Sequence, residues 1–226
     1  MVEATVSDPC DAMSREEIKN HLIAMADRHI EASATYKELK VDAGSEMRIS
    51  QGLEDGTVLT VCMMKAAGLT MEDFKAFVAP ECYGANIKIL DPILTCRKLD
   101  DDLGEGCYAM YQHIKTPFIV SNRCAFVAVY NIDLPNGGMI NLTTSKGMSA
   151  IAGANVPLQG KDVLSNTILT YIKMEPCEDG SGLRVSHVLA VDPAGSLPDV
   201  VKASIAKTNS DAGVKMVTHL RKQKGL

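Results

Sequence analysis

The 226-residue sequence contains no tryptophan and is only 4% aromatic, so no rich set of indole or phenyl rings is available to cage a cationic ligand. Its seven cysteines are odd in number, scattered, and without a CxxC pair, which excludes a disulfide framework and a cysteine zinc site and points to reduced, cytoplasmic thiols. The five histidines show no HExxH or other ligand spacing, so no metal and no cofactor is expected. No uninterrupted apolar run of about 18 residues occurs, and Met1 to Arg15 carries Glu3, Asp8 and Asp11 with no apolar signal segment. A net basic surface is also missing: the formal charge is -5 and the pI about 5.5, which disfavours nucleic acid as a partner. With 46% hydrophobic and 23% charged residues, the sequence reads as an ordinary soluble globular domain with a polar arm over residues 1–14 and a folded unit over 15–226.

The chain has regular periodicity. Ser14-Arg15-Glu16-Glu17 forms a capping box, and Ile18, Leu22, Met25 and His29 continue at helical spacing, predicting a helix over about 15–34. Alternation then predicts strands at 36–41, 47–50 and 57–64. Thr70 and Asp73 cap a second helix through Phe74, Phe77 and Val78, and a third helical stretch runs toward Asp91-Pro92. Six strands follow at about 93–99, 106–115, 122–132, 138–146, 163–175 and 183–191. Leu197, Val201, Ile205, Thr208, Ala212, Met216 and Leu220 then mark one face of a long helix. This order predicts one α+β domain, with a curved antiparallel sheet of about nine strands gripping the last helix. Such a sheet either packs solid or keeps a cavity beneath that helix.

One parity of the late strands is apolar with few polar interruptions: Tyr108, Met110 and Gln112; Ala125, Val127 and Val129; Leu164, Ile168 and Ile172; Val185, His187, Leu189 and Val191. These residues are either plain core or the wall of a binding tunnel, with Gln112, Tyr108 and His187 as its polar anchors. The segment from Gly147 to Gly160 fits no strand period and reads as a gate, represented by Ala152, Gly153 and Leu158. From Leu197 onward six basic residues stand against two aspartates, a balance of +4 that leaves -9 for the rest. Lys202, Lys207 and Lys215 on that helix are candidates for contact with anionic headgroups, or are simply a solvated face. Catalytic motifs are thin: Cys62 or Cys124 with His113 or His187 is a conceivable nucleophile and base, with no local signature behind it.

Ser121-Asn122-Arg123 opening a strand, Asp192-Pro193-Ala194-Gly195-Ser196-Leu197-Pro198 leading into the last helix, and Thr218-His219-Leu220-Arg221-Lys222 near its end resemble signatures of START domains, the lipid-transfer family related to steroidogenic acute regulatory protein. The resemblance spans about residues 15–222. It implies a helix-grip fold around a lipid-sized tunnel, with Val201 and Ile205 among its ligand-binding residues, gated by the last helix and by the 147–160 loop, with no covalent chemistry. The implied partners are a phospholipid, sterol or fatty acyl lipid and, transiently, a membrane surface. Arg123 is implied to brace its strand. The sequence departs from the family's ligand-reading positions: Ile87 stands four before Asp91 where the phosphatidylcholine branch has arginine, its aromatic cage positions correspond to Gln112, Ala125 and Ile168 or Leu169, and the acid-arginine pair of sterol binders corresponds to Met110 and Val129. Cys124 follows Arg123 where the family carries an acid. Alternative functions are a helix-grip cyclase or hydrolase acting on an apolar substrate, and a lipid-gated sensor.

Overall fold

The computed structural model describes residues 9–42, 46–54, 57–90, 93–104, 106–116, 120–155, 160–195, 197 and 199–226, with the backbone alone for residues 9, 199, 200, 202–204 and 206. The first helix, α1 (Arg15–Ala32), begins where the sequence places it: Glu17 N donates to Ser14 Oγ at 3.2 Å and Ser14 N donates to the Glu17 carboxylate at 2.8 Å. This reciprocal pair satisfies two of the donors that a helix start leaves open, a contribution of about 1 kcal/mol.

Strands β1 (Lys37–Asp42), β2 (Met47–Glu54) and β3 (Thr57–Ala67) form an antiparallel meander. Two short helices follow, α2 (Met71–Val78) and α3 (Tyr83–Asn86). Thr70 and Asp73 close a second capping box on α2. Then come β4 (Ile93–Asp102), β5 (Cys107–Ile114), β6 (Arg123–Asp133), β7 (Met139–Thr144), a helix α4 (Ser149–Ala154), β8 (Val163–Leu164), β9 (Asn166–Pro176), β10 (Gly182–Asp192) and the long helix α5 (Asp199–Gln223). The sheet runs β1-β2-β3-β10-β9-β7-β6-β5-β4, and β8 attaches in parallel to the first residues of β6. The predicted nine strands are the nine of this path. The predicted 163–175 strand is broken at Ser165 into β8 and the start of β9.

Alternation along the strands builds two cores. On the concave face Met64, Met110, Val127, Val129, Ile172 and Val185 pack with Phe74 and Phe77 of α2, Tyr83 of α3, and Met216, Val217 and Leu220 of α5. On the convex face Leu59, Val61, Phe126, Leu142, Tyr171 and Val188 pack with Ile18, Leu22, Met25 and Ala26 of α1. A tie between two concave-side helices is provided by Lys224 Nζ, which donates to the Asp73 carboxylate at 2.6 Å.

Two expectations are corrected here. Ile168 does not face the concave side: the β9–β10 register pairs Ala190 with Leu169 but Val191 with Thr167, so Ile168 is the extra residue of a bulge and packs on the convex core. Leu164, of the same predicted parity, is exposed. The second correction concerns the gate. The 147–160 segment contains α4, whose Ala152 is buried in the convex core beside Met148, on the side of the sheet opposite α5. Gly147 explains the placement: its φ is 68°, and a Cβ there would stand 2.6 Å from Ile18 of α1. Arg15 then donates to the Gly147 carbonyl at 2.7 Å. Ala152 therefore packs on the α1 side, Gly153 beside it is exposed with open space around it, and Leu158 lies outside the described residues.

Candidate functional site

Between the concave face of the sheet and α5 lies a cavity that offers about 190 Å³ to the centres of water-sized molecules. Small-molecule sites commonly run to about 300–1,000 Å³, so this is a compact one.

Each wall comes from a separate element. Phe77 of α2, Tyr83 of α3, Ile87, Ile89 and Leu90 of the following connection, and Ile93 at the start of β4 form an aliphatic and aromatic roof. The floor is made by Gln112 and Ile114 of β5, Thr143 of β7, Thr167, Thr170 and Ile172 of β9, and His187, Leu189 and Val191 of β10. From α5 come Ile205, Thr208, Asn209, Ala212, Gly213, Lys215 and Met216. Gly213 allows the helix to lie on the floor, since a Cβ there would stand 3.0 Å from His187 Nδ1.

Of the sequence-derived candidates, Gln112, His187, Leu189 and Ile205 line the cavity. Tyr108, Met110, Ala125, Val127 and Val129 share the concave face but belong to its packed core, where their space is filled by neighbours. Val201 is buried on α5 outside the cavity lining. Among the predicted basic contacts, Lys207 is exposed, Lys215 lines the cavity, and the Lys202 side chain lies outside the described residues. Asp91 is likewise outside them, whereas Ile87 is part of the roof. Reasoning from sequence missed Thr143, Thr167 and Thr170, and it read the apolar spacing of Phe77, Tyr83 and Ile87 only as helix. Their signal was present as helical periodicity, but which face of those helices closes a cavity is set by tertiary packing.

The floor carries no fixed charge. His187 is 4% exposed, has no hydrogen-bond partner among the described residues, and is held neutral by burial, its pKa depressed to about 4. Thr143 is 2% exposed and its Oγ1 lacks a partner. The phenol of Tyr83 approaches Thr143 without closing a well-formed hydrogen bond, and burial pushes its pKa up. Positive charge is found at the margin, where Lys115 is exposed.

Arg123 holds one end of the cavity. Its Nε donates to the Pro193 carbonyl at 2.8 Å, one terminal nitrogen donates to Ala194 O at 3.2 Å, and the other donates to Ser121 O. Ala194 has φ 56°, a left-handed conformation unfavourable for a β-carbon, and its N–H is held at 2.9 Å by Asp192 Oδ1. The strand brace implied by the sequence is thus also the clamp on the turn that leads into α5.

The buried thiols Cys62, Cys96 and Cys124 are not activated. Burial pushes Cys62 and Cys96 up to about 12, and Cys124 up to about 11. The acid-paired histidines lie away from the cavity: His29 Nε2 is 2.8 Å from Glu54 and packs on the convex side, and His113 Nε2 is 2.8 Å from Asp162. Among the described residues no group of three or more His, Cys, Asp or Glu side chains is arranged to hold a metal ion, and no helix is long and apolar enough to cross a membrane.

A curved antiparallel sheet closed by a long helix over an internal cavity defines a helix-grip protein. No family model matches the sequence, and no curated protein resembles it significantly. Solved structures do resemble it in fold. Human StAR-related lipid transfer protein 5 superposes with a TM-score of 0.70 at 13% identity, covering 93% of this chain and 99% of that one. Human STARD10 gives 0.66 at 17% identity, covering 88% and 78%. The lipid transfer and protein localization domain of human StarD13 (DLC2) gives 0.58 at 14% identity, covering 89% and 96%. The fold is START-like.

Proposed function

We propose that this chain binds one amphipathic lipid in the cavity beneath α5 and carries it between membranes. The observation that supports this reading most directly is the cavity itself: a largely aliphatic space walled by Phe77, Ile87, Ile93, Ile172, Leu189 and Ile205. The fold shared with structures whose names include lipid transfer supports it further. At about 0.8 kcal/mol per buried methylene, a 16-carbon chain gains on the order of 13 kcal/mol by leaving water, so a carrier must enclose it. Lys207 on the outside of α5 and Lys115 at the cavity margin suit brief contact with an anionic bilayer surface.

The chain acts as a carrier rather than an enzyme in this reading. Acid-base chemistry in the cavity needs a polarised pair, and His187 stands there without an acidic partner. The nearby thiols are held protonated at neutral pH. A cytoplasmic location accords with seven free cysteines.

The test is native mass spectrometry after incubation with mixed-lipid vesicles, followed by transfer between two vesicle populations. One bound lipid per chain and accelerated transfer are expected. Bare protein after incubation would overturn the reading, and binding without transfer would make the chain a sensor.

A further inference from the structure

The two ends of the cavity differ in kind. At one end Arg123 clamps the turn into α5. At the other the lining stops at a row of the sheet. Across β7, β9, β10 and β3 the concave face is built in successive rows: Thr143, Thr170, Leu189 and Thr60, then Asn141, Ile172, His187 and Cys62, then Met139, Met174, Val185 and Met64. Members of the first two rows line the cavity, and none of the third does. The lining stops at the same level on α5, where Met216 faces the cavity and Leu220, a turn further on, is packed in the core. The inner end is therefore a methionine wall: Met64, Met139 and Met174 from the sheet and Met216 from the helix, all buried in one cluster.

The same strands fill their other face differently. One residue along, Tyr130, Leu142, Tyr171, Val188 and Val61 make a row of aromatic and branched side chains under α1. Such side chains have few rotamers and hold a fixed shape. Methionine is unbranched, turns about three side-chain bonds, and repacks into irregular space. The chain holds 12 methionines against four phenylalanines and no tryptophan, and it sets these flexible side chains where the cavity ends. Behind the wall the packing stays apolar, with Ala66 and Leu183 in the next row and Leu220 on α5, so a tail tip moving past it meets no polar group in that row.

We propose that the methionine wall is a yielding end-stop: Met64, Met139, Met174 and Met216 swing aside for long alkyl tails and close up behind short ones, so that they set the range of tail lengths the cavity accepts. The inference rests on the carrier reading and says how its cavity selects by length. It concerns the tail alone and is indifferent to the polar group. Replacing the rotating thioethers by branched side chains of similar volume keeps the wall in place and removes its freedom.

The probes 1-dodecanol, 1-hexadecanol and 1-eicosanol differ only in tail length. Each is delivered from phosphatidylcholine vesicles, and bound alcohol is quantified by native mass spectrometry. Because the tail passes from one apolar phase to another, the three should be retained within about threefold of one another. Met64→Ile combined with Met174→Ile conserves volume and suits a strand. This variant should retain eicosanol roughly tenfold less well, the effect of forcing extra methylenes into a filled space. Its dodecanol retention should stay as in the original protein, with folding checked by circular dichroism. Independently, with carbon-13 at the methionine methyls of the original protein, the Met64, Met139, Met174 and Met216 signals should shift further with eicosanol than with dodecanol. A sharp cut-off above hexadecanol in the original protein, methionine signals that ignore tail length, or an isoleucine variant that takes eicosanol as the original does would each overturn the end-stop and leave the carrier reading standing. Retention of no alcohol, nor of phosphatidylcholine itself, would overturn both.

Discussion

Arg123 and Pro193 are joined by a 2.8 Å hydrogen bond across seventy positions of sequence, from the first residue of β6 to the turn before α5. A buried guanidinium held only by carbonyls is an unusual choice for a brace, and its consequence is that the turn leading into α5 is clamped by one side chain. Arg123→Met is expected to leave those carbonyls open and to cost about 2–3 kcal/mol in urea unfolding. Arg123→Lys, which lacks the planar fork, should recover only part of the loss. Hydrogen exchange in α5 should quicken in both variants. Unchanged stability in Arg123→Met would show that the clamp carries no energy.

Leu189 lines the cavity floor beside Thr170, so a larger side chain there should enter open space. Leu189→Trp is expected to keep the fold, because overpacking costs about 1–3 kcal/mol only where space is already filled. Lipid uptake should fall at least tenfold. A Leu189→Trp protein that loads lipid as well as the original would place the ligand elsewhere.

His187 gives a stability signature with acid. Its folded pKa of about 4 lies below the ordinary 6.5 because burial opposes the charged ring. Above about pH 6.5 both folded and unfolded states carry it neutral, and it contributes no pH dependence. As pH falls, the unfolded chain takes up the proton first, so stability drops by up to about 1.4 kcal/mol per pH unit until about pH 4, where both states are protonated. Burial is the one cause of the shift: the carboxylate of Asp211 on α5 acts on the neighbouring Cys62, whose thiol is pushed up to about 12 chiefly by burial, without raising the imidazole. His187→Gln should therefore gain on the original protein by on the order of 3 kcal/mol between pH 7 and pH 4 in denaturant titrations. Parallel pH profiles would refute the buried neutral imidazole.

Thiol labelling tests the absence of an activated nucleophile. Cys82 is exposed, whereas Cys62, Cys96 and Cys124 are buried and difficult to ionise. A brief iodoacetamide pulse at pH 8, read by peptide mass spectrometry, should modify Cys82 well before those three. Rapid native modification of Cys62 or Cys124 would reopen the enzymatic alternative.

Local signals in the sequence translated directly into structure. The Ser14–Glu17 and Thr70–Asp73 boxes start their helices as read, and period-two alternation separates Met110, Val127 and Val185 from Phe126, Leu142 and Val188. Ile168 escaped that alternation because a single added residue in one strand inverts the facing of its neighbours while leaving composition unchanged. Ala152, and with it the 147–155 segment, was misplaced for a different reason. What pins that segment to the convex side is Arg15, 132 positions away on α1, together with the close approach that Gly147 permits. The cavity roof was equally hidden, since Phe77, Tyr83 and Ile87 look like any helical core until the sheet beneath them is known to be hollow.

The pairing of β3 with β10 has a consequence for how the protein comes into being. Leu59 through Ala67 wait for partners in Gly182 through Ala190, more than a hundred residues later. Pairings this distant slow folding toward milliseconds and seconds. On a ribosome, the cavity lacks its complete β10 wall and α5 cover until synthesis has passed Gln223. The greasy strands of the central sheet spend that interval exposed, and the cavity can close only after translation has delivered the helix that shuts them in.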